Sequence, residues 1–324
     1  MNYVSLKLAY SALLAQKTRT LLTILGVSIG IAVVIAIMAA GRGLDKMVMS
    51  QLEIYSPNTI TVEVKVPATK KTSSENAMGM AIGITITTLK ERDLIDVGKH
   101  RNIESAYGLV IGQAVVKYQS ENKTTLLWGQ GYSFPEVEKF QLDSGRVYSK
   151  EEEESLSQVA ILGHATKDAL FGEDEAVGKT VYIKGKPFKV VGVAAKRGAT
   201  FGFDMDNLII LPAKTMQKRI LGVDYFINII AKVKDREKIK ETVAEIEEIM
   251  RDNHDITDPN KDDFAVNTME EAAQMLGSVV DGLTLLLVAL VCISLLVGGV
   301  GIMNIMYVSV SERTFEIGLR KAVG

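Results

Sequence analysis

Two stretches carry residue types whose spacing could do chemistry. The first is Gly172-Glu-Asp-Glu-Ala-Val-Gly178-Lys179-Thr180, which ends like a phosphate-binding loop. Such a loop needs four residues between its glycines, so the first would fall at Glu173. Three acids at 173–175 would confront the phosphates, and Lys179-Thr180 opens a strand pattern where anion binding calls for a helix N-terminus. The stretch reads as a turn into a hairpin, and the chain is expected to contain no ATPase. The second stretch is Asp258-Pro-Asn260-Lys-Asp262-Asp263, with Asp252 and Asp255 nearby. An EF-hand loop starting at Asp258 requires Gly at 263 and Glu at 269, where Asp263 and Met269 stand. It reads as a solvated acidic loop, as does the charged run Glu151–Glu154. His100, His164 and His254 have no partner at ligand spacing, and no Ser/His/Asp or Cys/His arrangement can be proposed. The expectation is a non-catalytic chain without metal or cofactor.

The elements that organise the chain are apolar. Gly282 to Ser311 contains no charged side chain, and neither does Thr20 to Gly41. A helix needs roughly 20 apolar residues to cross a bilayer core, so both runs are expected to span. Residues 1–19 carry Lys7, Lys17 and Arg19 without an acid, and Arg313, Arg320 and Lys321 follow the second run. Removing these six cations, together with Glu312 and Glu316, from totals of 37 and 39 leaves 31 positive and 37 negative charges between the spans. That asymmetry places both ends in the cytoplasm and residues 42–281 outside. A cleaved signal peptide fits poorly, because the first run is too long and Ala36-Ile-Met38-Ala-Ala40 is a poor cleavage site. The net charge of −2 gives no reason to expect nucleic acid as a partner. The one cysteine, Cys292, lies within the second run, so the outer segment is expected to rely on its core.

Small residues four apart let helix backbones approach closely in lipid. Gly26 and Gly30 form such a pair in the first span, and Ser294 and Gly298 offer a matching stripe in the second. Ahead of the first span, Leu6, Tyr10, Leu13 and Leu14 share one helical face. Residues 1–19 therefore read either as an amphipathic helix on the membrane surface or as a plain extension of the span.

The tail Ser311-Glu-Arg-Thr-Phe-Glu-Ile-Gly-Leu-Arg-Lys-Ala-Val-Gly324 resembles the segment after the second span of MacB/FtsX-type permeases, the membrane subunits of one class of ABC transporter. Val159-Ala-Ile-Leu-Gly, Phe171-Gly, Val177-Gly-Lys-Thr-Val and Phe188-Lys-Val-Val-Gly-Val193 are similar to phrases of that family's extracytoplasmic domain. The resemblance implies a membrane protein of the inner or cytoplasmic membrane with α-helical spans. Its large α+β extracytoplasmic domain would consist of porter-like βαβ units plus an inserted β-rich subdomain. It also implies a coupling segment at 312–324, with Glu312, Arg313, Glu316, Arg320 and Lys321 addressing a cytoplasmic ATPase subunit that binds the ATP. A homodimer or sister permease, membrane lipid and a periplasmic adaptor are the other partners considered. The family continues through two more spans, so the chain is expected to be a fragment.

Between the spans, the pattern predicts porter-like parts at 53–155 and 213–270 and a β-rich insert at 156–212. Strand Thr59–Val66 alternates, with Ile60, Val62, Val64 and Val66 on one face. Thr88-x-x-Glu91 and Thr268-x-x-Glu271 read as capping boxes. A hairpin is expected at 109–129 with its turn at Gln119–Asn122, and a second through Gly185-Lys186. Strand, helix and strand follow over 225–267, a βαβ unit like one expected at 84–108. A permease subunit that couples ATP hydrolysis to movement outside fits this plan. So does a two-span receptor whose outer domain senses a ligand.

Overall fold

A computed structural model describes residues 28–43, 46, 58–66, 86–200 and 203–324. The expectations for residues 1–19, Gly26, the helical continuation to Leu52 and the loop at 67–81 lie outside these residues. Two compact units are present: Met1–Val48 with Leu276–Gly324, and Met49–Met275.

In the Met49–Met275 unit, β1 (Thr59–Val64) buries Ile60, Val62 and Val64, the face that alternation marks as inward. The chain then forms α2 (Glu91–Gly98) and β2 (Ile103–Tyr118). Later it forms β11 (Asn228–Val233), α7 (Ile239–Asn253) and β12 (Phe264–Thr268). β1 pairs antiparallel with both β11 and β12, and β11 pairs antiparallel with β2. The order β12-β1-β11-β2 thus interleaves two split βαβ units, the ferredoxin-like arrangement. The expected unit at 225–267 is present. The expected one at 84–108 is not a unit of its own, because its first strand is β1. Thr242, Ile246 and Met250, each four residues apart, are the buried stripe of α7.

The first capping box is displaced. α2 starts after Lys90, whose N–H donates to Asp93 at 2.7 Å, while Thr88 instead bonds the Asp263 carboxylate. Local sequence offered two acceptors within reach of a helix start, and tertiary contact selected the later one.

Between β2 and β11 lie β3 (Glu121–Gln130), α3 (Phe134–Val137), β4 (Leu142–Gly145), α4 (Lys150–Glu154), β5 (Val159–Leu162), α5 (His164–Phe171), β6 (Thr180–Ile183), β7 (Lys186–Ala194), the short β8 (Ala199–Thr200) and β9 (Phe203–Asp204), and β10 (Leu208–Pro212). α6 (Ala213–Thr215) then runs into a π-turn at Met216–Leu221. The β2–β3 turn is tighter than expected, with only Gln119 and Ser120 between the strands. The β6–β7 turn is Lys184-Gly185, both at positive φ (48° and 76°), so glycine suits this two-residue turn. Lys179 enters a strand and not a helix, in keeping with the hairpin reading of the glycine-lysine-threonine stretch.

The β-rich part is not confined to 156–212. β2 pairs with β3, β3 with β10, β10 with β5, β5 with β7, β7 with β6, and β6 returns to β2. These six strands close a ring, and two of them belong to the expected porter-like part. Four inserted strands alone would leave open edges, whereas two long strands lent by the sheet complete the closure. β2 does both tasks: Ile103–Leu109 pairs with β11, and Val116 and Lys117 pair with β6. Val116, Leu127, Leu162, Val181, Ile183, Phe188 and Val190 are buried in one core with the β1 and β11 side chains.

Candidate functional site

The second unit is built from two helices, α1 (Ser28–Gly43) and the greater part of α8 (Met269–Val323). α8 begins where the second capping box was expected. The Glu271 N–H donates to Thr268 Oγ1 at 3.0 Å, and the Thr268 N–H donates to the Glu271 carboxylate at 2.8 Å. This reciprocal bond satisfies helix-start donors as the chain leaves β12. Met269–Val308 is long and apolar enough to cross a membrane, its most apolar 18-residue stretch reaching a mean hydropathy of 2.8. Leu285, Leu296 and Tyr307 are 71%, 71% and 75% exposed, so this surface calls for an apolar surrounding.

The contact between the helices is carried by glycine. A Cβ on Gly30 would lie 2.0 Å from Leu295 Cδ2, and one on Gly41 would lie 2.8 Å from Thr284 Oγ1. The two positions are eleven residues apart on each helix and run in opposite directions. Eleven residues are three turns, so one face of α1 meets one face of α8 in antiparallel register. Gly30 thus lies against Leu295, and Gly26, the other member of its expected pair, lies outside the described residues. A Cβ on Gly298 meets nothing within 4 Å among the described residues. Ser294 lies on α8 beside Leu295, the residue that meets Gly30. Sequence reasoning missed Gly41, Thr284 and Leu295, although the eleven-residue interval between Gly30 and Gly41 was a readable signal.

Glu312, Arg313, Glu316, Arg320 and Lys321 all fall on the last turns of α8, which passes without a break through the expected boundary at 311/312. The Ser311 and Thr314 hydroxyls bond back to Val308 O and Val310 O at 2.8 and 2.7 Å, so neither is used to cap a new helix start. One glycine, Gly318, costs a helix interior only about 1 kcal/mol. Arg320 and Lys321 are exposed. Phe315, Leu319 and Val323, spaced by four, are 77%, 55% and 84% exposed. The charged tail therefore also presents an apolar stripe.

In the Met49–Met275 unit, three acids of the 252–263 loop, Asp258, Asp262 and Asp263, have partners. Asp262 takes two nitrogens of Arg251 (2.9 and 3.1 Å), and Asp258 caps the turn at Pro259–Lys261. His254 lies between Asp263 (2.7 Å) and Asp93 (3.3 Å), joining α2, α7 and the start of β12. Burial opposes the imidazolium, but the two carboxylates prevail and raise its pKa to about 9. Burial likewise opposes the charged forms of Asp93 and Asp263, yet bonds to His254 hold both below the usual range. No group of three His, Cys, Asp or Glu among the described residues could hold a metal ion.

Comparison with known proteins agrees with this architecture. The family model of the MacB-like periplasmic core domain matches residues 20–249. The macrolide export ATP-binding/permease protein MacB of Chlorobium luteolum is 35% identical over 98% of this chain and 46% of its own length. Its namesake in Wolinella succinogenes is 32% identical over 99% of this chain and 48% of its own length. The chain thus spans about half the length of these relatives. Among solved structures, the periplasmic region of MacB from Actinobacillus actinomycetemcomitans superposes with a TM-score of 0.58 at 22% identity. It covers 68% of this chain and 94% of that one. The extracellular domain of the noncanonic ABC-type transporter YknZ from Gram-positive bacteria gives 0.51 at 21% identity, covering 65% and 100%. These two likenesses speak to the fold of the outer unit.

Proposed function

The chain belongs to the family defined by the MacB-like periplasmic core domain, and from that premise we propose that it is the permease part of an ATP-driven transporter or mechanotransmission complex. The nucleotide is bound by an ATPase outside this chain, in a partner subunit. Both ends face the cytoplasm, the Met49–Met275 unit faces outside, and the permease works as a homodimer or with a sister permease. The client is exported, or released from the membrane, by movement of the outer unit. One observation carries the reading: α8 is a single helix from the Thr268 cap at the sheet, through an apolar run, to a charged end. A continuous helix transmits a push or rotation applied at one end, whereas a hinge would absorb it. In this reading Glu312, Arg313, Glu316, Arg320 and Lys321 orient the end of α8 in a groove of the ATPase, and Phe315 and Leu319 supply apolar anchors.

The test is Glu312→Ala with Glu316→Ala in the permease assembled with its ATPase. Removing one partner of a buried charge pair costs about 2–5 kcal/mol of association. Expression and dimerisation are expected to persist, and stimulation of ATPase activity or its coupling to transport to be lost. Wild-type ATPase stimulation and transport in the double variant would leave the tail as a membrane-edge anchor.

A further inference from the structure

The proposed function makes no use of a buried polar cluster around Glu138, just after α3. The Glu138 side chain is 2% exposed. Its Oε1 accepts from the Tyr107 hydroxyl on β2 and from Gln130 Nε2 on β3, the latter at 2.8 Å. Arg197, on the segment after β7, places Nη1 3.7 Å from Oε2 and lies over the Phe140 ring. Arg197 Nη2 is buried without a hydrogen-bond partner among the described residues. The backbone of the same segment is held by Asp206, which accepts from the N–H groups of Arg197 (2.7 Å) and Gly198 (3.0 Å). A cavity of about 10 Å³ lies here, lined by Trp128, Glu138, Phe140, Arg197 and Met205 among others. From the α4 side comes Tyr148, which donates to Gln130 O at 2.8 Å. Its phenol is pushed up by burial and by the charges of Glu153 and Glu138.

We propose that Glu138 and Arg197 form a proton-releasable latch, in which ionised Glu138 holds the segment after β7 and protonated Glu138 lets it go. The geometry is lopsided in the way a latch needs. Oε1 has two donors that stay with the sheet, whereas Arg197 reaches Oε2 alone and at a long distance. Once Oε2 carries a proton, the guanidinium is a desolvated cation without its carboxylate, and solvent becomes its better place. Burial favours that proton: it pushes the Glu138 carboxyl above the ordinary range, against the lowering by Tyr107, Arg197 and Gln130. The sign is distinctive. A raised folded pKa means that the folded state binds the proton more tightly, so global stability falls as pH rises through that window. Engagement of Arg197 increases over the same window. Acid loosening of the segment therefore coincides with a fold that is not being acid-denatured.

Trp128 is the one tryptophan of the chain and lines the same cavity, so its emission reports on the latch directly. The experiment is a pH titration of Trp128 fluorescence on the full chain in detergent micelles. Hydrogen exchange of the Arg197 and Gly198 amides is followed in parallel. The wild type is expected to show one emission transition above the ordinary carboxylate range, with faster exchange of both amides on its acid side. Glu138→Gln is expected to exchange fast and emit like the acid form at every pH. Arg197→Met, which lacks the latch, is expected to exchange fast at every pH, and its remaining emission change, from Glu138 titrating alone, to lie at higher pH because the cation no longer favours ionised Glu138. Glu153→Gln, near the same tyrosine, is expected to keep the wild-type transition. A flat wild-type profile, or a transition that survives in Glu138→Gln, overturns the latch. Should Glu138→Gln fail to fold, an unmoved transition in Arg197→Met overturns it equally.

Discussion

The two units bury opposite things. In the Met49–Met275 unit, Phe134, Phe188, Phe226 and Phe264 are all within 2% of complete burial, and its ion pairs lie mostly at the surface. In the helical unit, leucines such as Leu285 and Leu296 point outward, and Gly30 and Gly41 face the partner helix. In water, apolar area withdrawn from solvent drives folding. In lipid, that drive is absent between helices and close backbone approach takes its place. With the helical unit placed in a membrane as proposed, one alphabet of residues serves two solvents: an exposed leucine is a defect in one unit and a solvent contact in the other.

The comparison can be broken most forcefully at Phe188. Phe188→Ala removes a fully buried ring from the barrel core, and about 3–5 kcal/mol of outer-unit stability is expected to go with it. Leu286→Ala on α8, 56% exposed, is expected to change helical-unit stability in bilayers by less than about 0.5 kcal/mol. Thermal melts of both variants in nanodiscs check the pair, and equal losses would mean that α8 has a protein neighbour at Leu286.

A second test concerns charge inside the aqueous unit. His254 has a folded pKa of about 9, raised from 6.5, so its stabilising effect is complete below about pH 6.5 and is lost as pH rises through 9. Allowing for solvent screening, the loss is expected to be about 2 kcal/mol. Denaturant unfolding at pH 6 and pH 10 measures it, and His254→Asn is expected to flatten the alkaline slope. A slope that persists in the variant would assign it to another group.

The smallest effect is expected between the helices. Gly30→Leu must displace Leu295, and overpacking of this kind costs about 1 kcal/mol or slightly more. Gly298→Leu, where a Cβ meets nothing within 4 Å among the described residues, is expected to leave the α1–α8 contact unchanged. A cysteine cross-link between α1 and α8 in each variant gives the comparison. Loss of the cross-link in Gly298→Leu and not in Gly30→Leu would restore Gly298 as the partner stripe.

Legibility followed the range of the interaction. β1, the α7 stripe and the Thr268 cap were readable because each depends on residues within about eight positions of one another. The α2 start was misplaced because Asp263, far along the chain, claims the Thr88 hydroxyl. Which α8 residue meets Gly30 was not readable: a Cβ there would approach Leu295, a contact set by how the two helices pack and not by the spacing of small residues within either.

The sequence alone determined the apolar runs, the split of charge around them, the alternating strands and the charged end of α8, because periodicity and composition are local quantities. Tertiary structure decided three further matters: that β2 and β3 are shared between sheet and ring, that His254 stands between two aspartates, and that Glu138 meets Arg197. Each joins residues separated by many turns of chain. Their pairing follows from strand register and closure, and neither is written in the spacing of any single segment.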